Sequence, residues 1–169
     1  GLQGGGNSPE KWAAYPTKRG FDYFYGYVRH VDGHQHYPAN FWKLGDNKSH
    51  QQKKQVWENN DEVSGGLDKC YTADLWTAKA KQLIMREARE NPKRPFFMYL
   101  AYDTPHAALQ LPTVAYPDGK GVNGGLQWLG KPGRMINTAE GTIDHYRDPH
   151  YTGKSLTDVA ERFATSITR

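Results

Sequence analysis

The sequence is poor in cysteine, in long apolar runs and in charge of one sign. Its 169 residues include a single cysteine, Cys70, so no intrachain disulfide can form. No apolar run approaches the roughly 18 residues that cross a bilayer. The formal net charge is +4, without the run of like charges that marks a nucleic-acid arm. We therefore expect no membrane span and no nucleic acid partner, and the small positive excess is compatible with an anionic substrate.

Glycine, proline and aromatic residues are abundant instead. There are 18 Gly and 10 Pro against 37% hydrophobic residues, so much of the chain is predicted to be loop. Aromatic residues make up 13% of the chain, with 11 Tyr and 5 Trp. They suit a surface that binds planar or sugar-like ligands, and they equally suit the anchoring of loops.

Two helices are predicted from the spacing of apolar residues. The first covers about Ala73 to Asn91, with Thr72 as N-cap and Pro92 as the stop. The second lies within Ser155 to Arg169. Their apolar stripes follow the helical period: Trp76, Ala80, Leu83, Ile84 and Ala88 in the first, and Val159, Phe163 and Ile167 in the second.

The apolar run from Phe96 to Tyr102 follows the first helix after a short turn. This order is typical of an α/β unit that enters a buried parallel strand. A buried helix could give the same run, but the aromatic residues and the flanking prolines favour a strand. We therefore predict an α/β fold, part of a mixed, mainly parallel sheet flanked by helices, with long irregular loops such as His106 to Ser155. Leu44 to Lys69 is expected to be loop or a small hairpin.

His106 lies just beyond the carboxyl end of the predicted strand, after Asp103 and Pro105. Ligands of open α/β sheets bind at such strand ends. An imidazole there can protonate a leaving group or hydrogen-bond an anionic oxygen. The competing interpretation is an ordinary loop histidine whose ring is satisfied by backbone carbonyls. The residues alone leave both interpretations open.

Other polar residues give weaker signals. His34 and His36 are too few for a zinc or copper site, and alternation places at most one of them toward a pocket. Cys70 has no recognisable base partner and is interpreted as a small hydrophobe. Lys131, in a glycine-rich stretch, could reach an anion, although a solvated loop lysine is the simpler interpretation. His34 and Lys131 are thus candidate substrate-binding residues, and no metal ligand is predicted.

Four segments, in order and spacing, resemble the sulfatase family of the alkaline-phosphatase-like superfamily. They are "GFDYFYGY" (Gly20 to Tyr27), "HQHYPANFW" (His34 to Trp42), "YTADLWTAKA" (Tyr71 to Ala80) and "RPFFMYLAYDTPHAALQLP" (Arg94 to Pro112). The last string is the most specific of the four. The resemblance covers most of the chain.

Similarity to sulfatases implies hydrolysis of sulfate esters by a calcium-bound formylglycine, which is made from the Cys or Ser of a C/S-x-P-x-R motif. His106 matches the family's Pro-His histidine, which contacts the sulfate and is a candidate acid for the leaving group. Cys70 precedes Tyr-Thr-Ala, so it does not match the formylglycine motif. The formylglycine and the calcium ligands are therefore expected outside this chain.

The resemblance also sets expectations for the whole protein. Residues 1–169 are expected to be one partial catalytic domain, truncated at both ends and inactive without the missing N- and C-terminal parts. The parent is expected to act on a sulfated small molecule or glycan, in the periplasm or outside the cell. Two alternatives stand: a phosphate or phosphonate ester hydrolase of the same superfamily, and a noncatalytic module that binds sulfated glycans.

Overall fold

The computed structural model describes residues 2, 7–38, 54–65, 67, 70–106, 109–112, 115 and 146–169. Within these ranges the chain forms three short strands, two α-helices and three 3₁₀ turns. The strands are β1 (Tyr25–Tyr27), β2 (Val56–Glu58) and β3 (Asp61–Glu62), the helices are α1 (Thr72–Glu90) and α2 (Asp158–Thr168), and the 3₁₀ turns are Pro9–Lys11, Pro16–Lys18 and His30–His34. Among the described residues, neither α1 nor α2 combines the length and the hydropathy of a membrane-spanning helix.

The three strands form an antiparallel sheet in the order β1-β2-β3. Tyr25 is opposite Glu58, and Glu58 is opposite Asp61. A two-residue connection joins β2 to β3, and so short a link permits only antiparallel pairing. The predicted hairpin is thus confirmed within the described residues. The mixture of helices and strands agrees with an α/β chain, but the described strands give no support to a mainly parallel sheet.

The prediction of a buried strand from Phe96 to Tyr102 is wrong for the described structure. The run follows α1 directly but has no β-ladder. Its side chains are largely exposed, and Phe97 and Tyr99 are 77% and 76% accessible. A central strand is buried because it has neighbouring strands on both sides. No described strand lies beside the run from Phe96 to Tyr102. The apolar run is therefore a surface of the chain as described.

Helix α1 begins one residue earlier than predicted. Thr72 is its first residue and Tyr71 is the N-cap, without a side-chain capping bond. The Thr72 hydroxyl faces the carboxylate of Asp103 instead, with 3.4 Å between the oxygens. The first half of the helix carries the buried side chains, including Trp76 and Ala80, whereas Ile84 is exposed. Only the N-terminal half of the predicted stripe therefore packs against the core.

Helix α2 confirms the second helical prediction. Thr157 is its N-cap, and the Thr157 hydroxyl accepts a hydrogen bond from the amide of Ala160 at 3.2 Å. The apolar stripe of this helix is exposed, while Thr165 and Ser166 are buried. The predicted period is correct, but the face that packs in the described structure is the polar one.

The core lies between the sheet and the first half of α1. Its main cluster consists of Val56, Leu67, Cys70, Leu75, Trp76 and Ala78. A second cluster of Trp12, Tyr15, Val28 and Trp57 packs on the other side of the hairpin, and Trp12 meets Trp57 edge to face at 4.9 Å. Cys70 is fully buried within the main cluster, which agrees with its interpretation as a small hydrophobe.

Candidate functional site

Three parts of the chain converge at the N-terminal end of α1: the His30–His34 turn with the residues after it, the first turn of α1, and residues 103–106 with 109–112. The amide of His36 donates to the side-chain oxygen of Gln110 at 2.7 Å. The hydroxyl of Tyr71 donates to the Gln110 carbonyl at 3.3 Å, and the amide of Thr72 donates to the carbonyl of His36 at 2.8 Å. These bonds join residues far apart in sequence, so they fix the relative positions of the three segments.

Asp103 is the polar centre of this junction. Its carboxylate accepts from the Trp76 indole at 3.1 Å, and it faces the hydroxyl of Thr72 at 3.4 Å. The Asp103 carbonyl accepts from the amide of His106 at 2.9 Å, which closes a turn. Helix α1 thus holds Asp103 by its side chain, and Asp103 holds the backbone of His106.

His106 emerges from this turn with an exposed side chain and meets two other imidazoles. Its ring stacks on that of His34, with centroids 4.7 Å apart and planes inclined by 18°. The ring of His30 lies edge-on to His34 at 4.8 Å and is 6.2 Å from His106. The Nε2 atoms of His30 and His34 are 3.2 Å apart. We call His30, His34 and His106 the imidazole cluster.

His36 lies beneath the cluster in a different environment from His34. Its ring is fully buried, and neither ring nitrogen has a hydrogen-bond partner among the described residues. Nδ1 is 3.5 Å from the nearer oxygen of Asp103. A short movement of either side chain would form a charge-assisted hydrogen bond. The His36 ring therefore lies next to the Asp103 carboxylate, whereas the His34 ring stacks on His106.

Burial raises the pKa of acidic side chains under the cluster. Asp32, within the His30–His34 turn, is fully buried and is held by two hydrogen bonds from Arg29, at 2.8 and 3.0 Å. Burial nevertheless raises the pKa of Asp32, against the opposing effect of Arg29. Burial also raises the pKa of Tyr27, helped by the carboxylates of Asp103 and Asp32. The carboxylate of Asp32 and the hydroxyl of Tyr27 therefore lie buried below the cluster.

Two of the three predicted site residues, His34 and His106, lie together. Lys131 lies outside the described residues. The sequence reasoning missed His30, although its spacing of four from His34 is a signal, because residues four apart share one face of a helical turn. It also assigned no function to Asp103, which it noted only as a residue that precedes His106. The contact of Asp103 with Trp76 joins residues 27 apart, which no local pattern reveals.

The described residues do not fit a calcium site. No group of three or more His, Cys, Asp or Glu among them is arranged to hold a metal ion. Calcium prefers several carboxylate and carbonyl oxygens, whereas the exposed groups here are imidazoles. Cys70 is buried in the apolar core rather than at the cluster. The chemistry available at this site is therefore that of imidazole: hydrogen bonding, proton transfer and the binding of anions.

Comparison with known proteins assigns the chain to a family. The Sulfatase family profile matches residues 5–142, which is most of the chain. Arylsulfatase J of Mus musculus is 28% identical over 98 residues, which are 57% of this chain and 15% of that protein's length. No solved structure matches the chain. The profile match includes the whole imidazole cluster, and the chain belongs to the Sulfatase family.

Proposed function

We propose that the protein containing this chain is a sulfuric ester hydrolase and that His106 acts on the ester. The observation that carries the proposal is the exposed imidazole of His106, held on a turn of a chain that the Sulfatase profile matches. The name of the mouse relative, an arylsulfatase, supports the same reaction class. The expected contribution of this chain is to bind the sulfuryl oxygens and to assist the departing alcohol.

The surroundings of His106 suit a positioned proton donor. General acid catalysis requires a side chain held within hydrogen-bond reach of the leaving oxygen. The backbone of His106 is fixed through Asp103, and its ring is supported by the stacked ring of His34. The stacking engages the face of the His106 ring, whereas the ring nitrogens lie on its edge. We propose that His34 contributes to substrate binding from this stacked position, and that Lys131 does so from outside the described residues.

Calcium and formylglycine are proposed to belong to other parts of the protein. In the family, this pair supplies the nucleophile that attacks sulfur. No described residue of this chain fits either role, since the only cysteine is buried and no metal-holding cluster is present among them. The function proposed for this chain is therefore confined to its imidazoles and does not depend on a metal ligand here.

A sulfated carbohydrate is the substrate that we propose, with the reaction taking place in the periplasm or outside the cell. The number of aromatic residues supports this choice, because aromatic rings stack on the apolar faces of sugars. The net charge of +4 is compatible with a polyanionic substrate.

The test uses the full protein encoded by the reading frame that contains this chain. Release of inorganic sulfate from an aryl sulfate and from sulfated oligosaccharides is measured alongside release of phosphate from matched phosphate esters. We expect sulfate release to dominate and His106→Ala to lower kcat by roughly a hundredfold or more. His150→Ala, an exposed histidine of the segment before α2, is the matched control and should keep full activity.

Two outcomes would replace the proposal with an alternative. Dominant release of phosphate would make the protein a phosphate or phosphonate ester hydrolase. Retention of the chain on heparin without any ester hydrolysis by the full protein, unchanged in His106→Ala, would make it a glycan-binding module. The 169-residue chain by itself should release neither sulfate nor phosphate.

A further inference from the structure

His36 is a fully buried imidazole beneath the candidate site. Its amide donates to the side chain of Gln110 at 2.7 Å, and its carbonyl accepts from the amide of Thr72 at 2.8 Å. Both backbone groups are thus bonded to other parts of the chain, which holds the residue in place. Neither ring nitrogen has a hydrogen-bond partner among the described residues. Buried polar groups are rarely left in this state, so the ring calls for an explanation.

The carboxylate of Asp103 faces the ring of His36. Nδ1 of His36 and the nearer carboxylate oxygen are 3.5 Å apart, which is roughly 0.6–0.8 Å longer than a charge-assisted hydrogen bond. An imidazole with hydrogen on Nδ1 points a donor at the carboxylate, whereas the other neutral form would set two lone pairs against each other. The carboxylate therefore favours the form of His36 that donates to it.

The two oxygens of the Asp103 carboxylate differ in their contacts. Oδ1 accepts from the indole of Trp76 at 3.1 Å, whereas Oδ2 faces the hydroxyl of Thr72 at 3.4 Å. The Cβ atom of Asp103 lies 3.8 Å from the place that a Cβ atom would take at Gly33, so the side chain packs against the turn before His36. A bond from His36 would give Oδ2 a short donor and would tie this turn to α1 through one carboxylate.

We propose that His36 is a positioning residue, which donates from Nδ1 to Asp103 and thereby fixes the turn that presents His106. The link to His106 is the Asp103 carbonyl, which accepts from the amide of His106 at 2.9 Å. Because its ring is buried, His36 acts through Asp103 and not on a ligand. The inference deepens the proposed function, and it rests on that function for the action of His106 on the ester.

A histidine that only fills space is the competing interpretation. An apolar side chain of similar volume would then serve equally well, because replacing an unbonded buried polar group by an apolar one costs little stability. The positioning role instead requires a donor near the place of Nδ1. The side-chain amide of asparagine supplies such a donor, whereas leucine supplies none. The two replacements therefore separate the two interpretations.

The test compares His36→Leu with His36→Asn in the full protein encoded by the reading frame that contains this chain. Release of inorganic sulfate from an aryl sulfate gives kcat and KM. We expect His36→Leu to lower kcat by about tenfold or more and to change KM by less than about twofold, because a displaced His106 impairs the reaction and not the binding step. His36→Asn should keep kcat within about threefold of the unchanged protein, since the donor is retained.

Hydrogen exchange gives a second readout, which does not depend on catalysis. The amide of His106 is bonded to the Asp103 carbonyl, so its exchange rate reports on the opening of the turn. We expect His36→Leu to speed the exchange of this amide by about tenfold. His36→Asn should leave the rate unchanged. Mass spectrometry with fragmentation of the backbone locates the deuterium at His106.

Ser64→Ala is the matched control for the loss of a buried polar group. The Ser64 hydroxyl is also buried without a hydrogen-bond partner among the described residues, but Ser64 lies just after β3. Its replacement should change neither kcat nor the exchange at His106. In an Asp103→Ala background, His36→Leu should lower kcat by less than about twofold, because the partner of His36 is already absent. Circular dichroism establishes that each variant is folded.

Three results would overturn the inference. These are an unchanged kcat in His36→Leu, equal losses of kcat in His36→Leu and His36→Asn, and unchanged exchange of the His106 amide in His36→Leu. Each would leave the proposed function intact, because the full protein would still hydrolyse the aryl sulfate. Absence of sulfate release by the full protein would instead remove the proposed function, and the exchange rates would then decide whether His36 fixes the turn.

Discussion

The indole of Trp76 donates a hydrogen bond to the carboxylate of Asp103 across 3.1 Å. Trp76 belongs to α1, and Asp103 begins the turn that presents His106. The same indole packs edge to face on Tyr25 and Tyr27 of β1, with centroids at 5.6 and 5.2 Å. One side chain therefore links the sheet, the first helix and the candidate site, and the position of His106 depends on it.

Replacing Trp76 by Phe tests this link. The substitution keeps an aromatic ring against the sheet and removes the donor, so the Asp103 carboxylate loses a charge-assisted bond. We expect the free energy of unfolding to fall by about 1–2 kcal/mol beyond the loss of ring volume. Denaturant unfolding followed by circular dichroism measures the change.

Trp57→Phe is the matched control for the loss of volume. Trp57 and Trp76 are both 7% exposed, but the Trp57 indole has no hydrogen-bond partner among the described residues. Both variants therefore lose a similar volume of buried ring, and only one loses a bond to a carboxylate. Equal destabilisation of the two variants would show that the bond to Asp103 contributes nothing.

Asp74 and Arg169 form a second link, between the first turn of α1 and the end of α2. Two bonds of 2.9 Å join the guanidinium to the carboxylate, and both side chains are almost fully buried. Arg169→Met removes one partner and leaves a buried carboxylate without its counter-ion. We expect a loss of about 3 kcal/mol in the free energy of unfolding.

Arg162→Met supplies the comparison for the buried pair. Arg162 is bonded to Asp158 at 2.7 Å, but the Asp158 side chain is largely exposed. Exposed pairs contribute at most about 1 kcal/mol, because water solvates both charges. If Arg162→Met destabilised the chain as much as Arg169→Met, burial would not be the property that gives the Asp74 pair its strength.

Local patterns in the sequence predicted the helices and the hairpin, since these depend on neighbouring residues. The helical period located α1 and α2 to within a few residues, and Pro92 marked the end of the first. The same patterns did not predict burial correctly. Phe96 to Tyr102 has the composition of a buried strand, yet burial requires partner strands, and none is found among the described residues.

The candidate site was predictable only in part. His106 followed from its position after an apolar run and from the family resemblance, and His34 from its alternation with His36, which places at most one of the two toward a pocket. Their stacking, and the contact of His30 with His34, depend on the bonds that join the 30s segment to the segment after α1. Those bonds connect residues about 70 positions apart in the sequence. The local spacing of residues therefore does not predict them.

Tyr15 gives a prediction about alkaline pH. Burial raises its pKa to about 12, from the ordinary value of 10.0, and its hydroxyl donates to the carbonyl of Asn59. Between these pH values the unfolded chain releases the proton and the folded chain keeps it. The free energy of unfolding therefore decreases as the pH rises from about 10 to about 12, and this contribution ceases to change above that window.

Tyr15→Phe should reduce this alkaline dependence by the share of one tyrosine, because Tyr27, whose pKa burial also raises, still contributes. Unfolding is followed in denaturant at several pH values from 9 to 12, and absorbance at 295 nm reports ionised tyrosine. Tyr99→Phe is the control, because the Tyr99 side chain is 76% exposed and folding changes its surroundings little. An alkaline slope that is the same in Tyr15→Phe and in the unchanged chain would contradict the prediction.

The exposed apolar run after α1 predicts that the folded chain binds hydrophobic dyes. Large exposed apolar patches are uncommon on soluble proteins, and Phe97 and Tyr99 are the two most exposed side chains of this run, at 77% and 76%. Replacing both by Ser should lower dye fluorescence markedly and change the free energy of unfolding by less than about 1 kcal/mol, because the side chains make few contacts to lose. Lys93→Ser, an exposed polar position in the same connection, should leave dye binding unchanged. Strong destabilisation by the double replacement would instead mean that the run is packed in solution, as the strand prediction required.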